Sequence, residues 1–594
     1  MCGIFGVVSK SEKVLGDMLY AGGQRLSYRG YDSVGCATIS GDKIDLRKDV
    51  GTVDEVSKQL NFPEMSGSRG LIQLRWATFG APAKENAQPH FGCDEDMVGA
   101  HNGNITNTLQ LQAKFKKEGH EIRSTNDGEL CVHAVEHYYD QGKDMVESLR
   151  LAYKDLHGDY AFMVLNTKEN ALYAIKKGSG LVVGLNGTEA YCSSDLPSIL
   201  PLTNKIVRIK DNEILKLTPE TLEIYSAENG FKIEREPEIC KESMEAAQKG
   251  GYEHFMLKEI HEQPNAARDL VDLLNDSKYA GPFLEKIQSA KKVFFVGCGT
   301  SRHACMLGSY YFNKLAGIQA IPVLPQQLTE QYGNTLDADT AIVFVSQSGE
   351  TKDVLNALKF AKEKNCAILG VLNVLGSTLM HESDIYLPLA CGYEISVPAT
   401  KTFLNQAVLF LYLAAKAGDK ELPFSELHDL IQKTIDQTSG PAKIAAKELE
   451  GWAELYYLGY GITHPIAHEG ALKLKEITYM HCEGIFSSEF KHGPLSAVEK
   501  DYPVAFLTAP DDAEMMVNHI NEVACRDGKP IIIAEENETL EAYAHTFIKI
   551  PKSGQLFFPL LAVVAAQLIS YYASVSRGLN PDFPRNLSKT LTVD

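Results

Sequence analysis

The sequence begins MCGIFGVV, which puts a thiol directly behind the initiator methionine. Removal of a methionine that precedes a small residue would leave Cys2 with a free α-amino group, whose ordinary pKa lies at about 7.7–8.0. Such an amine accepts the thiol proton directly or through one water, so a single residue supplies both nucleophile and base. Much farther along, Glu469, Lys473 and Glu476 in HEGALKLKEITYMHCEG fall at i, i+4 and i+7, on one face of a helix. Their apolar neighbours Ala471, Leu472, Leu474 and Ile477 leave little room for a second solvent face, so part of the triad is expected to be buried. Downstream, FKHGPLS places His492 in a Gly-Pro turn. A carboxylate and an imidazole of adjustable pKa are what proton transfer between adjacent carbons needs.

A third pattern is suited to an anion. SQSGET, residues 346–351, follows the apolar run AIVFV and precedes the helical run KDVLNALKFAKE. A hydroxyl-rich turn at the C-terminal end of a parallel strand presents O–H and N–H donors, and the dipole of the following helix favours negative charge there. GCGTS, residues 297–301, adds Thr300 and Ser301 to the same edge, where open sheets bind ligands. The chain has no GxxxxGK[ST], which disfavours a nucleoside triphosphate and favours a small phosphorylated molecule. HAVEH, residues 133–137, matches the H-x-x-E-H pattern of some zinc sites. No third ligand is evident at a useful spacing, so the sequence predicts a partly exposed helix there and no metal.

These groups need a scaffold, and a chain of 594 residues is too long for one core. Residues 2–235 are rich in short apolar runs broken by Gly, Asn and Asp, which predicts a β-rich domain with a few helices, one of them after STNDGE. EREPEICKESMEAAQKGGYEH is charged and lacks strand signals, so 236–282 reads as a linker and helical lead-in. The remainder alternates apolar runs with helical segments, as parallel βαβ units do. It also repeats: Gly297 in VFFVGCGTS and Gly459 in LYYLGYGIT are 162 positions apart, as are Ser346 and Thr508 in the next strands. That predicts two copies of a doubly wound α/β domain, at 283–418 and 450–594. The net charge of −19 disfavours nucleic acid as a partner. Twelve scattered cysteines with no CxxC pair, and no secretory signal, point to a cytoplasmic protein. LFFPLLAVVAAQLISYYA is apolar enough to raise a membrane question, but Pro559, Gln567 and Ser570 favour a buried helix.

YRGYDS, RWATFG, HNGN and STNDGE resemble the signature runs of class II glutamine amidotransferases, the N-terminal-nucleophile kind. Together with the repeated second half, the chain resembles over essentially its whole length the glutamine–fructose-6-phosphate aminotransferases, an amidotransferase fused to two sugar isomerase (SIS) domains. The resemblance implies an αββα sandwich followed by two doubly wound parallel-sheet domains. It implies the first step of amino-sugar synthesis, with ammonia released at one site and passed to the other through a channel. By that resemblance Cys2 is the nucleophile, and Asn102 with the N–H of Gly103 forms the oxyanion hole. Arg75 clamps the glutamine carboxylate, Asp127 pairs with its ammonium group, Thr78 belongs to the same pocket, and Trp76 gates the ammonia passage. Arg29, Gly30, Tyr31 and Asp32 match the loop supporting that pocket. Thr300, Ser346, Gln347, Ser348 and Thr351 match phosphate-holding positions, and Ser301 and Val397 lie near the sugar. Lys589 matches the lysine that forms an imine with the ketose, Glu476 the base acting between C1 and C2, and His492 the ring-opening residue, supplied by the other subunit of a homodimer. Glu469 and Lys473 match helpers on the same helix. No cofactor or metal is implied.

Phe79 stands where the family often has histidine, and Pro398 and Ala399 in SVPATK depart from its usual small or hydroxylic residues. The long insertion of the larger eukaryotic forms is missing, so feedback control by a nucleotide sugar is expected to be weak or absent. Two other readings are an amidotransferase acting on a different phosphosugar and a sugar-phosphate sensor without turnover. Cys2, Glu476, His492 and Lys589 together argue against the sensor, which has no use for them.

Overall fold

In the computed structural model, the described residues are 2–77, 80–240, 249–275 and 277–589. Thr78 and Phe79 therefore lie outside them, as do residues 241–248 and 276 of the expected linker. The chain divides into two compact units, Met1–Gln248 with Ser588–Asp594, and Lys249–Leu587.

The first unit contains two antiparallel sheets. One has eight strands, in the order Glu238–Ile239, Lys205–Arg208, Val182–Leu185, Glu189–Ser193, Gly3–Val14, Ser66–Arg75, Ser33–Ser40 and Lys43–Val50. The other has seven, in the order Lys232–Ile233, Leu222–Ser226, Glu213–Leu217, Leu172–Lys177, Gly158–Asn166, Met97–Ile105 and His90–Phe91. A core including Ile4, Val8, Leu71, Ala100, Met163 and Leu172 joins the two inner faces. Helices Thr108–Lys117, Asp127–Tyr139 and Met145–Asp155 contribute a second core on the outer face of the seven-stranded sheet.

The opening run explains itself in this setting. Its strand is central, so residues on both faces are buried: Ile4 and Val8 meet the opposite sheet, while Phe5 packs beneath the helix Gly16–Arg25, where a Cβ on Gly22 would come within 2.6 Å of its ring. Gly6 falls on the inner face, where a Cβ would come within 2.4 Å of Leu172 Cδ1. Glycine there lets the two sheets approach.

The second unit holds two parallel sheets of identical topology. The first runs Ala320–Val323, Lys292–Val296, Thr340–Ser346, Ala367–Leu372, Ile385–Pro388. The second runs His481–Phe486, Glu454–Gly459, Pro503–Thr508, Lys529–Ala534, Thr546–Lys549. Both follow the order 2-1-3-4-5, and Gly297 and Gly459 each end up just at or after the close of the first strand. The 162-residue period in the sequence is therefore a repeat of architecture. One core runs through both copies and includes the helices Lys401–Ala417, Leu427–Glu448 and Gly554–Ser576. The last is long and apolar enough to cross a membrane by composition, yet 89% of its most apolar stretch is buried inside the protein. Its Gln567 amide donates to the carbonyl of Thr400 at 3.3 Å, which gives the polar group a use inside that core.

Candidate functional site

In the first unit the strand order brings Cys2 to Arg75. Gly3 pairs with Leu74 in antiparallel register, so the residue before the first strand lies beside the end of Ser66–Arg75. The Trp76 N–H donates to Cys2 Sγ at 3.4 Å, and the thiol lies 3.6 Å from the Trp76 carbonyl. Arg75 is buried, and its guanidinium donates to the carbonyls of Gly80 (2.7 Å) and Ala81 (3.2 Å). Burial depresses its pKa, against the pull of Cys2, Asp127 and Asp32. Asp32 accepts from the N–H of Ala77 at 2.8 Å, so the carboxylate shapes the start of this loop.

The facing sheet supplies the polar wall. Asn102 lies on Met97–Ile105 and is 1% exposed, and both its Oδ1 and Nδ2 lack a hydrogen-bond partner among the described residues. Leaving a buried amide unpaired costs about 1–3 kcal/mol, so the position is maintained for a reason outside packing. Gly103 follows at φ 116°, and a Cβ there would meet the Asp159 carbonyl at 2.1 Å, so only glycine fits. An N–H beside an unspent amide donor is what an oxyanion hole requires. Asp127 opens the helix Asp127–Tyr139, and its Oδ2 accepts from the Ile105 N–H at 2.9 Å and faces His101 Nε2 at 3.3 Å. Burial opposes its ionisation, but His101 and the backbone donors outweigh burial and hold its pKa below the usual value.

In the second unit the loops 297–301 and 347–351 follow adjacent parallel strands, Lys292–Val296 and Thr340–Ser346. With strand order 2-1-3, this is the point where the winding reverses and open α/β sheets leave a crevice. Ser346 Oγ lies 2.9 Å from Thr351 Oγ1 and accepts from the Gly349 N–H at 3.1 Å, which folds SQSGET into a turn capping the helix Lys352–Glu363. Ser301 Oγ accepts from Gln406 at 3.1 Å, on a helix that begins at Thr300. The matching crevice of the second copy carries Asp511 and Asp512 instead, and Gln555 binds both. Carboxylates at that turn repel an anion.

Two of the triad seen in the sequence, Glu469 and Lys473, are buried, Glu476 is partly exposed, and the group reaches across to the first copy. Glu469 is 0% exposed; its carboxylate accepts from Thr300 Oγ1 at 3.0 Å and faces His303 Nδ1 at 2.7 Å. Lys473 Nζ lies 2.6 Å from Glu476 and 3.5 Å from Glu469. Burial works against the ammonium, but the two carboxylates outweigh it and raise the pKa, so Lys473 stays charged. Nearby, burial and neighbouring positive groups push His464 down to about 3 and His468 down to about 4, which keeps both imidazoles neutral.

Two further carboxylates, which the sequence did not single out, set the segment holding Val397. Glu394 accepts from the N–H groups of Thr400 (2.9 Å) and Thr402 (3.1 Å), and Glu259 binds the Ser396 N–H and hydroxyl. The Val397 N–H donates to the Asp582 carbonyl at 2.9 Å, tying the segment to the chain end, and Asp582 in turn caps the helix starting at Phe255. His492 closes a short 3-10 turn, Phe490–His492, and is exposed. Lys589 is half-buried and belongs to the first unit as the contacts divide the chain. The HAVEH helix is not partly exposed as expected: Asp127–Glu136 is buried throughout, because this face packs against the seven-stranded sheet.

Comparison with known proteins places these features. A glutamine amidotransferase domain model matches residues 75–200, and a SIS domain model matches twice, at 286–416 and 448–577. Curated relatives from Sulfolobus acidocaldarius and Aquifex aeolicus are 37% and 38% identical over the full length of both chains, and each is named glutamine–fructose-6-phosphate aminotransferase (isomerizing). Among solved structures, the C-terminal domain of glucosamine-fructose-6-phosphate aminotransferase from Francisella tularensis covers 56% of the chain and 99% of its own length, at 30% identity and a TM-score of 0.52. A tagatose-6-phosphate ketose/aldose isomerase from Escherichia coli covers 56% of the chain and 95% of its own length, at 19% identity and a TM-score of 0.50, a likeness of fold.

Proposed function

This chain belongs to the glutamine–fructose-6-phosphate aminotransferases of the isomerizing kind, and on that premise we propose that it converts D-fructose 6-phosphate and L-glutamine to D-glucosamine 6-phosphate and L-glutamate. The observation that carries this reading is the full-length match at 37% identity, with amidotransferase and paired SIS segments in the same order.

Once Met1 is removed, the α-amine of Cys2 takes the thiol proton and the thiolate attacks the glutamine amide. The oxygen of the tetrahedral intermediate accepts from the Asn102 amide, the unspent donor described above, and from the Gly103 N–H. Collapse expels ammonia and leaves a γ-glutamyl thioester, which water hydrolyses to glutamate and free Cys2. The Arg75 guanidinium and the Asp127 carboxylate fix the two ends of the amino acid, whose charges they complement; Thr78 completes the pocket, and Trp76 gates release of ammonia toward the sugar.

The sugar phosphate binds at the winding reversal of the first SIS copy, its phosphate taking the hydroxyls and N–H groups of Ser346, Gln347, Ser348, Thr351 and Thr300, with Ser301 and Val397 against the sugar. His492 from a second subunit opens the ring, Lys589 condenses with the C2 ketone with loss of water, ammonia displaces the lysine to leave an imine at C2, and Glu476 moves the proton from C1 to C2, giving the C1 aldehyde and the C2 amine. Lys473, itself beside Glu469, holds Glu476 in place. The working enzyme is a cytoplasmic homodimer.

Incubation of the protein with glutamine and fructose 6-phosphate is expected to yield glutamate and glucosamine 6-phosphate in equal amounts. Glutamate formed with glucose 6-phosphate, and no aminosugar, would instead mark two uncoupled activities.

A further inference from the structure

Four side chains from three separate segments of the first unit meet beside the helix Asp127–Tyr139. Cys93 follows the short strand His90–Phe91, His120 lies in the loop after Thr108–Lys117, and His133 and Glu136 face inward from Asp127–Tyr139. One donor atom from each lies within 4.8 Å of every other. Cys93 Sγ is 3.4 Å from His120 Nδ1 and 3.7 Å from His133 Nδ1. Glu136 Oε2 is 3.0 Å from His120 Nδ1 and 2.9 Å from His133 Nδ1. With zinc–sulfur bonds of about 2.3 Å and zinc–nitrogen bonds of about 2.0–2.1 Å, the sulfur–nitrogen edge of a tetrahedron is about 3.6 Å. The two sulfur–nitrogen separations straddle that value, and the nitrogen–oxygen edges need to open by only a few tenths of an ångström.

The surroundings are those of a ligand set. The Glu121 N–H donates to Cys93 Sγ at 3.4 Å, which fixes the direction of the sulfur. The Cys93 N–H donates to Oε1 of Glu136, fixing the carboxylate so that Oε2 points at the two imidazoles. The far nitrogens also have company: His133 Nε2 is 3.7 Å from Glu129 and His120 Nε2 is 3.5 Å from His137 Nδ1. His137, the other histidine of the HxxEH pattern, stands behind a ligand and is not one of the four.

We propose that Cys93, His120, His133 and Glu136 form a closed, four-ligand structural site for a zinc-type divalent ion. Thiolate and imidazole select such an ion over magnesium or calcium, and four protein ligands leave no open position for chemistry. The ion would pin the 118–125 loop to the helix whose first residue is Asp127. Glu129 of that helix already binds Arg123 N, Ser124 N and Ser124 Oγ, so the loop entering the glutamine pocket would be held from two sides.

The test uses full-length protein purified without a metal-affinity step. Elemental analysis is expected to find about one zinc per chain in the parent and in Cys2→Ala, falling to background in Cys93→Ser and His133→Ala. Cobalt(II) added to chelator-stripped protein should give a thiolate charge-transfer band and the strong visible bands of a tetrahedral ion. Glu136→Gln, which keeps shape and thiol, should weaken those bands, and Cys93→Ser should remove the charge-transfer band. A parent protein that holds no zinc and gives only the faint spectrum of hydrated cobalt would reduce the cluster to hydrogen bonding and overturn the proposal.

Discussion

Replacing Cys2 with alanine is expected to abolish glutamine hydrolysis and glutamine-dependent aminosugar formation, by several orders of magnitude, while the sugar half goes on interconverting fructose 6-phosphate and glucose 6-phosphate. On the proposed mechanism every step of the glutamine half runs through the Cys2 sulfur. The fold should tolerate the change: one buried sulfur is lost, and among the described residues its hydrogen bonds are to the backbone of Trp76, so the stability cost is of order 1 kcal/mol. Lys589→Ala should give the mirror image, with glutamine still hydrolysed and the ketose untouched. Asn102→Ala makes a graded companion. Its amide has no partner to lose, so unfolding should be unchanged while glutamine turnover falls by about 10²–10³. Separate rate assays for the two half-reactions read all three variants. One substitution that removed both activities equally would contradict the two-site account.

Lys473→Met should destabilise the second unit by about 3–5 kcal/mol, because it leaves carboxylates buried without their counter-charge. Lys473 is 1% exposed and lies between Glu469 and Glu476, and Glu469 is fully buried. Methionine fills nearly the same volume, so the loss is electrostatic and not a cavity. Restoring neutrality with Glu469→Gln and Glu476→Gln in the same chain should recover most of that loss, though not the sugar activity that depends on Glu476. Denaturant unfolding followed by circular dichroism measures both steps. A Lys473→Met protein as stable as the parent would mean that the pair is solvated and Glu476 is not held as described.

What the sequence made legible was whatever repeats or clusters along it. The 162-residue period announced two copies of one topology, and the i, i+4, i+7 spacing put the triad on one face. The run MCGIFG placed a nucleophile beside its own base. Contacts between distant segments left no such trace. Glu469 reaches Thr300 and His303 across the two copies, 169 and 166 residues away. Glu259 and Glu394 look like ordinary surface charges until the fold closes a loop around them. Spacing around the HxxEH run shows no third group because Cys93 and His120 come from other segments, 40 and 13 residues before His133, and only sheet and loop packing brings them beside it. Spacing arguments find sites made from one helix and miss sites made from three pieces of chain.

The central claim is that the amide nitrogen of glutamine ends on C2 of the sugar. Glutamine labelled with ¹⁵N in its amide, supplied with fructose 6-phosphate in a buffer containing unlabelled ammonium, tests it in one mass spectrum. Glucosamine 6-phosphate carrying the heavy nitrogen undiluted, with one glutamate formed per aminosugar, is the result this account predicts. Heavy ammonium released to the buffer, with the sugar recovered unaminated, would contradict it.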